Sequence, residues 1–155
     1  SARVQRIWEF DQQVPRVAQG SPCAIELDRD IDASRGDLVV RQGEAVGNTR
    51  QVEADLCWLD GDPLIAGKKL YFRHGTSEVQ ARVSEILYRS DIRSLERRPG
   101  ADGLQMNEIA RVRISLAQPV AVDRFDSVRP TGRFVLVDAA SFQTSAAGLI
   151  RGFTA

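Results

Sequence analysis

Apolar and polar side chains alternate along residues 107–117, and this segment is the starting point for predicting the fold. Ala110, Val112, Ile114 and Leu116 occupy every second position, whereas arginine or serine occupies the positions between them. An alternation with a period of two is typical of a strand that buries one face and exposes the other to solvent. We therefore predict a strand across these residues, with the four apolar side chains in the core.

A second strand is predicted at residues 133–138, where the side chains are apolar almost throughout. Such a segment is typical of a strand that is covered on both faces. Pro119 is expected to end the first strand, because proline cannot donate a hydrogen bond to a sheet. Pro130 and Gly132 favour a connection between the two strands, since glycine tolerates positive φ angles.

Short strands separated by glycine- and proline-containing turns are predicted along the rest of the chain. A change of phase near Glu85 predicts a β-bulge, and a glycine-containing linker at residues 43–48 predicts a domain boundary. The pattern is typical of an all-β fold, here an antiparallel six-stranded barrel over roughly residues 50–151, with no helix longer than two turns. The further predicted strands are residues 3–10, 22–27, 37–41, 51–59, 69–73, 78–88 and 146–150.

Composition narrows the function classes. The chain has 155 residues, which predicts one complete domain or one domain with part of a second. Because 43% of the residues are apolar, we also expect a hydrophobic core. Lysine and arginine total 21, as do aspartate and glutamate. Proteins that bind nucleic acids or membrane surfaces usually carry an excess of positive charge. The net charge of this chain is zero, so neither partner is expected. The chain also lacks a run of about 18 apolar residues that could span a membrane.

The two cysteines and the single histidine suggest no catalytic or metal centre. Cys23 and Cys57 are far apart and lie outside metal-binding patterns, which favours a reduced, cytoplasmic protein with both thiols buried. Cys57 falls on the polar side of its strand, but its acidic neighbours disfavour a reactive thiolate. His74 is followed by glycine and threonine, which favour a turn position over a catalytic triad.

A phosphate-binding loop is suggested at first by residues 61–69, but the details disagree. Five residues separate Gly61 from Gly67 where the motif has four, and Lys69 stands where the motif needs serine or threonine. Pro63 also removes a backbone N–H group. We predict a turn that connects two strands.

Two charged sets are predicted to be solvated surface. The aspartates within residues 28–32 alternate as in calcium loops, but the glycine and glutamate that such loops need are missing. A set of arginines forms a possible basic stripe, for which an anion or RNA site is the alternative reading, and nearby glutamates are available to neutralise it. The arginines are Arg73, Arg82, Arg111 and Arg113, and the glutamates are Glu78, Glu85 and Glu108.

Several segments, taken in order, resemble the C-terminal barrel of the large subunit of bacterial sulfate adenylyltransferase. That subunit is a GTPase of the elongation-factor-Tu type, often fused to an adenylylsulfate kinase. The resemblance covers nearly the whole chain and departs at residues 141–143, where the family more often carries an asparagine. The segments are residues 31–37, 54–58, 63–64 with Gly67, 88–91, 104–109, Pro119 with 123–125, 131–138 and 146–150.

The resemblance implies a fold and a domain organisation. Residues 1–46 would be the C-terminal part of a domain II-like barrel, and residues 47–155 a complete barrel like domain III of elongation factor Tu. Ser1 and Ala2 resemble an expression remnant and the chain begins within a predicted strand, so we expect a fragment of a longer protein.

The resemblance also implies a function for the parent protein, which would use GTP, ATP and magnesium in sulfate assimilation. The family's nucleotide-binding motifs, a Walker-type loop and Asn-Lys-x-Asp, do not occur in this sequence. No catalytic, cofactor-binding or metal-binding residue is therefore assigned, and whether the chain itself is enzymatic stays open. A scaffold for the GTPase domain and the small catalytic subunit is expected, with a weak homodimer through residues 3–45. The alternatives are a tRNA-gripping barrel of a translation-type GTPase and a stand-alone protein-binding module.

Overall fold

In the computed structural model, residues 1–44, 46–65, 67–91, 96–100 and 102–154 are described, and nearly all regular structure in them is β-strand. They form two compact units, Ser1–Ser34 and Arg35–Ala155. The strands are β1 Val4–Glu9, β2 Gln12–Val14, β3 Ala24–Leu27, β4 Gly47–Trp58, β5 Leu64–Ile65, β6 Leu70–His74, β7 Ser77–Ser90, β8 Arg97–Pro99, β9 Gly103–Leu104, β10 Ile109–Val122, β11 Arg133–Asp138 and β12 Thr144–Thr154.

The first unit is a three-stranded antiparallel sheet in the order β2-β1-β3. Ile7 pairs with Val14 on one side and with Ile25 on the other, so β1 is the central strand. Among the described residues 1–34, none is buried. A small sheet of this kind encloses no core by itself, and its apolar side chains keep access to solvent.

The second unit contains a closed antiparallel barrel, which confirms the predicted fold. Within the described part of the chain, the strand order is β10-β4-β12-β11-β6-β7, and β7 pairs again with β10 to close the ring. Strand β8 pairs with the last residues of β7, and β5 pairs with β9 in a separate two-stranded sheet. The helical segment that the structure describes is the 3-10 turn Pro130–Gly132, and no described helix has the length and apolar character needed to cross a membrane.

The barrel core follows the alternation of the strands. The side chains of β10 predicted for the core, Ala110, Val112, Ile114 and Leu116, are each at most 5% exposed, as are Phe134 and Leu136 of β11. Alternating residues of β4 supply a second row of the core, because every second side chain of a strand faces the same side.

The phase change predicted near Glu85 is confirmed. In the pairing of β7 with β10, the register shifts between Tyr88 and Ile86 and again between Glu85 and Val83. Each shift leaves one extra residue in β7, which is the arrangement of a bulge and turns the following side chains to the other face.

The prediction that Pro119 ends a strand is wrong, because β10 continues to Val122. The pairing of β10 with β4 is interrupted between Ser115 and Val120, and Pro119 lies in this gap. The missing N–H group therefore costs no ladder hydrogen bond, which is the condition under which a strand tolerates proline.

Three further predictions are corrected. Residues 37–41 form no strand, and Val39 is 82% exposed, because this apolar run pairs with no strand in the described part of the chain. Short strands β2, β5, β8 and β9 lie in segments for which a turn or loop is predicted. Cys23 is exposed rather than buried, and Cys57 is partly exposed.

A candidate docking groove on the outer face of the barrel

Four apolar side chains form a continuous row across the outside of the barrel. Ile109 of β10 pairs with Cys57 of β4, which pairs in turn with Ala147 of β12. Ala147 pairs with Val135 of β11, and Arg73 of β6 ends the row. Outward positions of a barrel in water are usually polar, so a row of apolar side chains from four adjacent strands is a candidate binding surface.

The row lies in a groove of about 690 Å³. Ile109, Cys57 and Val135 are partly exposed, and Ala147 is exposed. Leu149, the next outward residue of β12 after Ala147, adds a fifth apolar side chain. The groove is concave and mainly apolar, as protein and ligand sites commonly are.

Two arginines at the edge of the groove differ in their partners. Arg73 donates a hydrogen bond from Nε to Glu78 at 2.7 Å. Arg133 pairs in register with Leu149, is exposed, and forms no ion pair with a residue that the structure describes. Among the residues that the structure describes, Arg133 is therefore a positive charge without an ion pair at the edge of the apolar groove.

A charge network borders the groove at Asp55, another lining residue. Asp55 accepts hydrogen bonds from Arg111 at 2.6 Å and from Arg151 at 2.7 Å. Arg111 also reaches Glu53 at 3.0 Å, and Arg151 reaches Asp126 at 2.7 Å. Partial burial raises the pKa of Asp55, but the hydrogen bonds from the two arginines outweigh it and hold the pKa below its ordinary value. Every charge of this network, three carboxylates and two arginines, has a partner within it, and the network fixes this edge.

The segment that resembles a phosphate loop serves a structural purpose. The Nζ atom of Lys68 lies 3.1 Å from Asp138 and 3.7 Å from Asp60, and 5.4 Å from the centre of the Trp58 ring. Asp60 also accepts a hydrogen bond from the buried hydroxyl of Ser145 at 2.7 Å. These contacts hold the loop to β11 and β12, so Lys68 is engaged within the protein.

His74 occupies a buried position, so its prediction as an ordinary turn residue is wrong. It is the last residue of β6 and is 6% exposed. Its Nε2 atom lies 2.8 Å from the carbonyl oxygen of Thr131, and its ring stacks on Phe72 with centroids 6.0 Å apart. The histidine thereby links β6 to the turn before β11.

The predicted arginine stripe is largely neutralised on the outer face of the barrel. Arg113 pairs with Glu85, and Arg73 pairs with Glu78, so two of the glutamates named above neutralise arginines of the stripe. Arg111 instead pairs with Glu53 and Asp55, and Glu108 lies 3.0 Å from Arg89. Arg82 is exposed and has no ion pair with a described residue.

The acidic loop is solvent-exposed, and Asp28 accepts a hydrogen bond from the backbone N–H of Arg3 at 2.9 Å. Among the described residues, no group of three or more histidine, cysteine, aspartate or glutamate side chains is arranged to hold a metal ion.

Comparison with known proteins agrees with the fold and with the resemblance seen in the sequence. The chain is 36% identical over 155 residues to the bifunctional enzyme CysN/CysC of Rhodopirellula baltica. This alignment covers 99% of the chain and 24% of that protein. It is 38% identical over 150 residues to sulfate adenylyltransferase subunit 1 of Chromobacterium violaceum, covering 96% of the chain and 31% of that protein. The chain thus spans only part of the length of these relatives.

A solved structure shows the same fold at low sequence identity. Sup35 complexed with GDP superposes with a TM-score of 0.86 over 99% of the chain and 38% of Sup35, at 18% identity. The family profile described as GTP-eEF1A C-terminal domain-like matches residues 51–151, which contain most of the barrel. Because this match covers more than half of the sequence, the chain belongs to the GTP-eEF1A C-terminal domain-like family.

Proposed function

We propose that the chain is the non-catalytic β-barrel part of a GTP-dependent sulfate adenylyltransferase large subunit, with the barrel as a scaffold for the GTPase domain and the small catalytic subunit. The relatives named sulfate adenylyltransferase subunit 1 support the choice of enzyme. The apolar groove on the outer face supports a docking role, since a sheet face of this kind gains stability when a partner covers it. The parent would be cytoplasmic and would form adenylylsulfate and pyrophosphate from ATP and sulfate, coupled to GTP hydrolysis with magnesium.

The domain organisation that follows is also proposed. Residues 1–46 would be the C-terminal part of a domain II-like barrel, and residues 47–155 the domain III-like barrel. The start of β4 at Gly47 and the three-stranded sheet of the first unit are compatible with this division. GTP, ATP and magnesium would be bound by other parts of the parent.

Nucleic-acid binding is less well supported than protein docking. A barrel that grips tRNA needs free cations along its binding face. Here Arg73, Arg111 and Arg113 are engaged with carboxylates, and the groove is lined mainly by apolar side chains. A stand-alone protein-binding module would use the same groove. The experiment below separates this alternative from the proposed scaffold, because its two binding partners are parts of a sulfate adenylyltransferase.

The experiment is a titration of the chain with the purified GTPase domain of such a subunit and, separately, with the small catalytic subunit. We expect measurable binding to at least one of them, and Val135→Asp in the groove should weaken it by roughly tenfold or more. Ile65→Asp is the matched control, because Ile65 is 62% exposed and lies outside the groove. Absence of binding to both proteins, or equal affinity of the two variants, would contradict the proposal.

A further inference from the structure

A second cleft of about 360 Å³ lies on the barrel, where β6, β7 and β10 are neighbours. Its lining shares no residue with the docking groove. The described residues that line it include two cations and three polar residues. The cations are Lys69 and Arg82, the polar residues are Tyr71, Gln80 and Ser115, and the other lining residues, Leu70, Ala81, Leu116, Ala117 and Ala139, are apolar.

The strand register places the two cations opposite each other. Leu70 pairs with Ala81, and Tyr71 pairs with Gln80. Lys69 directly precedes β6 and Arg82 directly follows Ala81, so continuing the register by one residue beyond the first residue of β6 brings these two positions opposite each other. Like charges directly opposite on neighbouring strands repel and destabilise a sheet.

The described residues do not compensate these two charges. No carboxylate is found among the described residues that line the cleft. Neither Lys69 nor Arg82 forms an ion pair with a described residue, whereas Lys68 pairs with Asp138 and Arg113 pairs with Glu85. The cleft therefore concentrates positive charge in a chain whose net charge is zero.

Three uncharged side chains that can donate hydrogen bonds also line the cleft. Ser115 of β10 pairs in register with Arg82, so the two side chains leave the same face of neighbouring strands. Gln80 and Tyr71 add an amide and a phenol. Charge-assisted hydrogen bonds from lysine, arginine and hydroxyl groups are the usual means of holding phosphate and sulfate oxygens.

We propose that this cleft binds a small ligand carrying phosphate- or sulfate-type oxyanions, which Lys69 and Arg82 neutralise and to which Ser115 and Gln80 donate hydrogen bonds. The volume is within the range of small-molecule sites. The site does not depend on the docking role of the outer groove, because the two surfaces have separate linings.

Calorimetric titration of the chain with sodium pyrophosphate at low ionic strength tests the site. We expect saturable binding below about 1 mM, and Arg82→Gln or Lys69→Gln should weaken it about tenfold or more, since each removes a charge-assisted contact. Arg124→Gln is the matched control, because Arg124 is exposed and lies outside the cleft. Equal affinity of all three variants, or no binding by the unmodified chain, would overturn the proposal.

Thermal unfolding gives a second readout. Without pyrophosphate, Arg82→Gln should melt at a higher temperature than the unmodified chain, because the repulsion between the strands is relieved. With pyrophosphate, the unmodified chain and Arg124→Gln should gain more stability than Arg82→Gln, because the variant binds the ligand more weakly. A ten-nucleotide single-stranded DNA serves as the other source of phosphate groups, and binding of this DNA without binding of pyrophosphate would also count against a small-ligand site.

Discussion

Neighbouring side chains of one barrel strand differ sharply in their contribution to stability. Ile114 is fully buried in the core, whereas Arg113 lies on the outer face and pairs with Glu85. We expect Ile114→Ala to lower the free energy of unfolding by about 2–5 kcal/mol through lost transfer and a cavity. Arg113→Ala should lower it by about 0–1 kcal/mol, because exposed ion pairs contribute little. Urea denaturation compares them, and equal losses would contradict the observed strand phase.

The carboxylate of Asp138 couples the stability of the fold to pH. It accepts hydrogen bonds from the backbone N–H groups of Ser141 and Ala140, both at 2.8 Å, and Lys68 lies 3.1 Å away. These contacts hold the pKa of Asp138 well below its ordinary value. A carboxyl whose pKa is lower in the folded than in the unfolded chain stabilises the fold above the unfolded pKa of about 3.9, and this contribution is lost as the pH falls through the folded value.

We therefore predict that Asp138→Asn lowers the free energy of unfolding at pH 7 and flattens its decline below about pH 4. The decline in the unmodified chain arises because the unfolded state takes up a proton that the folded state does not bind. Urea denaturation from pH 7 to about pH 3 measures both effects. An unchanged slope in Asp138→Asn would show that this carboxylate does not supply the coupling.

The Phe134 ring of β11 lies so close to the backbone of β12 that one position of β12 favours glycine. Gly148 pairs with Phe134, and a Cβ atom on Gly148 would lie 2.2 Å from the Phe134 ring. That ring stacks on Phe72 with centroids 4.5 Å apart, so it has little room to move. The absence of a side chain at Gly148 thus makes space for an aromatic pair in the core.

We expect Gly148→Ala to destabilise the barrel by about 1–3 kcal/mol, as overpacking of a core does. Gly152→Ala on the same strand is the control, because a Cβ there would meet only the Cβ of Glu53 at 4.0 Å. Its effect should stay within about 1 kcal/mol. Thermal unfolding of both variants separates the effect of crowding from a general effect of alanine in β12, and similar losses would contradict the packing argument.

The strands could be predicted from the sequence to the extent that their pattern is local. Residues 133–138 are found as β11 with the predicted bounds, because apolar content is a property of the segment itself. Residues 37–41 carry a similar apolar run but form no strand. Whether a segment becomes a strand depends on a partner elsewhere in the chain, which local pattern does not reveal. Pro119 was mispredicted for the same reason, since its tolerance depends on a gap in the pairing with β4.

The docking groove could not be predicted from the sequence, because its residues lie far apart along the chain. Ile109, Cys57, Ala147 and Val135 come from four strands and become neighbours only through the register between those strands. On its own strand, Cys57 shares a face with Glu53 and Asp55, which indicates a polar face. The sequence signal that comes nearest is the presence of apolar residues at the outward positions Val135, Ala147 and Leu149 of β11 and β12. They indicate the groove only when the pairing of the strands is known.

The two units of the chain differ in how they are stabilised. The barrel is closed, so its strands have no open edges and enclose a continuous core. In the first unit, β2 and β3 are edge strands with no further strand paired to them in the described part of the chain. Ile25 is 47% exposed there and Phe10 is 84% exposed. Unpaired strand edges beside exposed apolar side chains favour association.

We predict that the chain forms a weak homodimer through residues 3–45, since an isologous contact between two copies of this sheet would satisfy both edges together. Sedimentation of the chain at about 100 μM, where a micromolar contact is populated, should show dimers. A version that starts at Gly47 retains the strands of the closed barrel and should sediment as a monomer. Monomers in both cases would rule out self-association, and dimers in both would place the contact on the barrel instead.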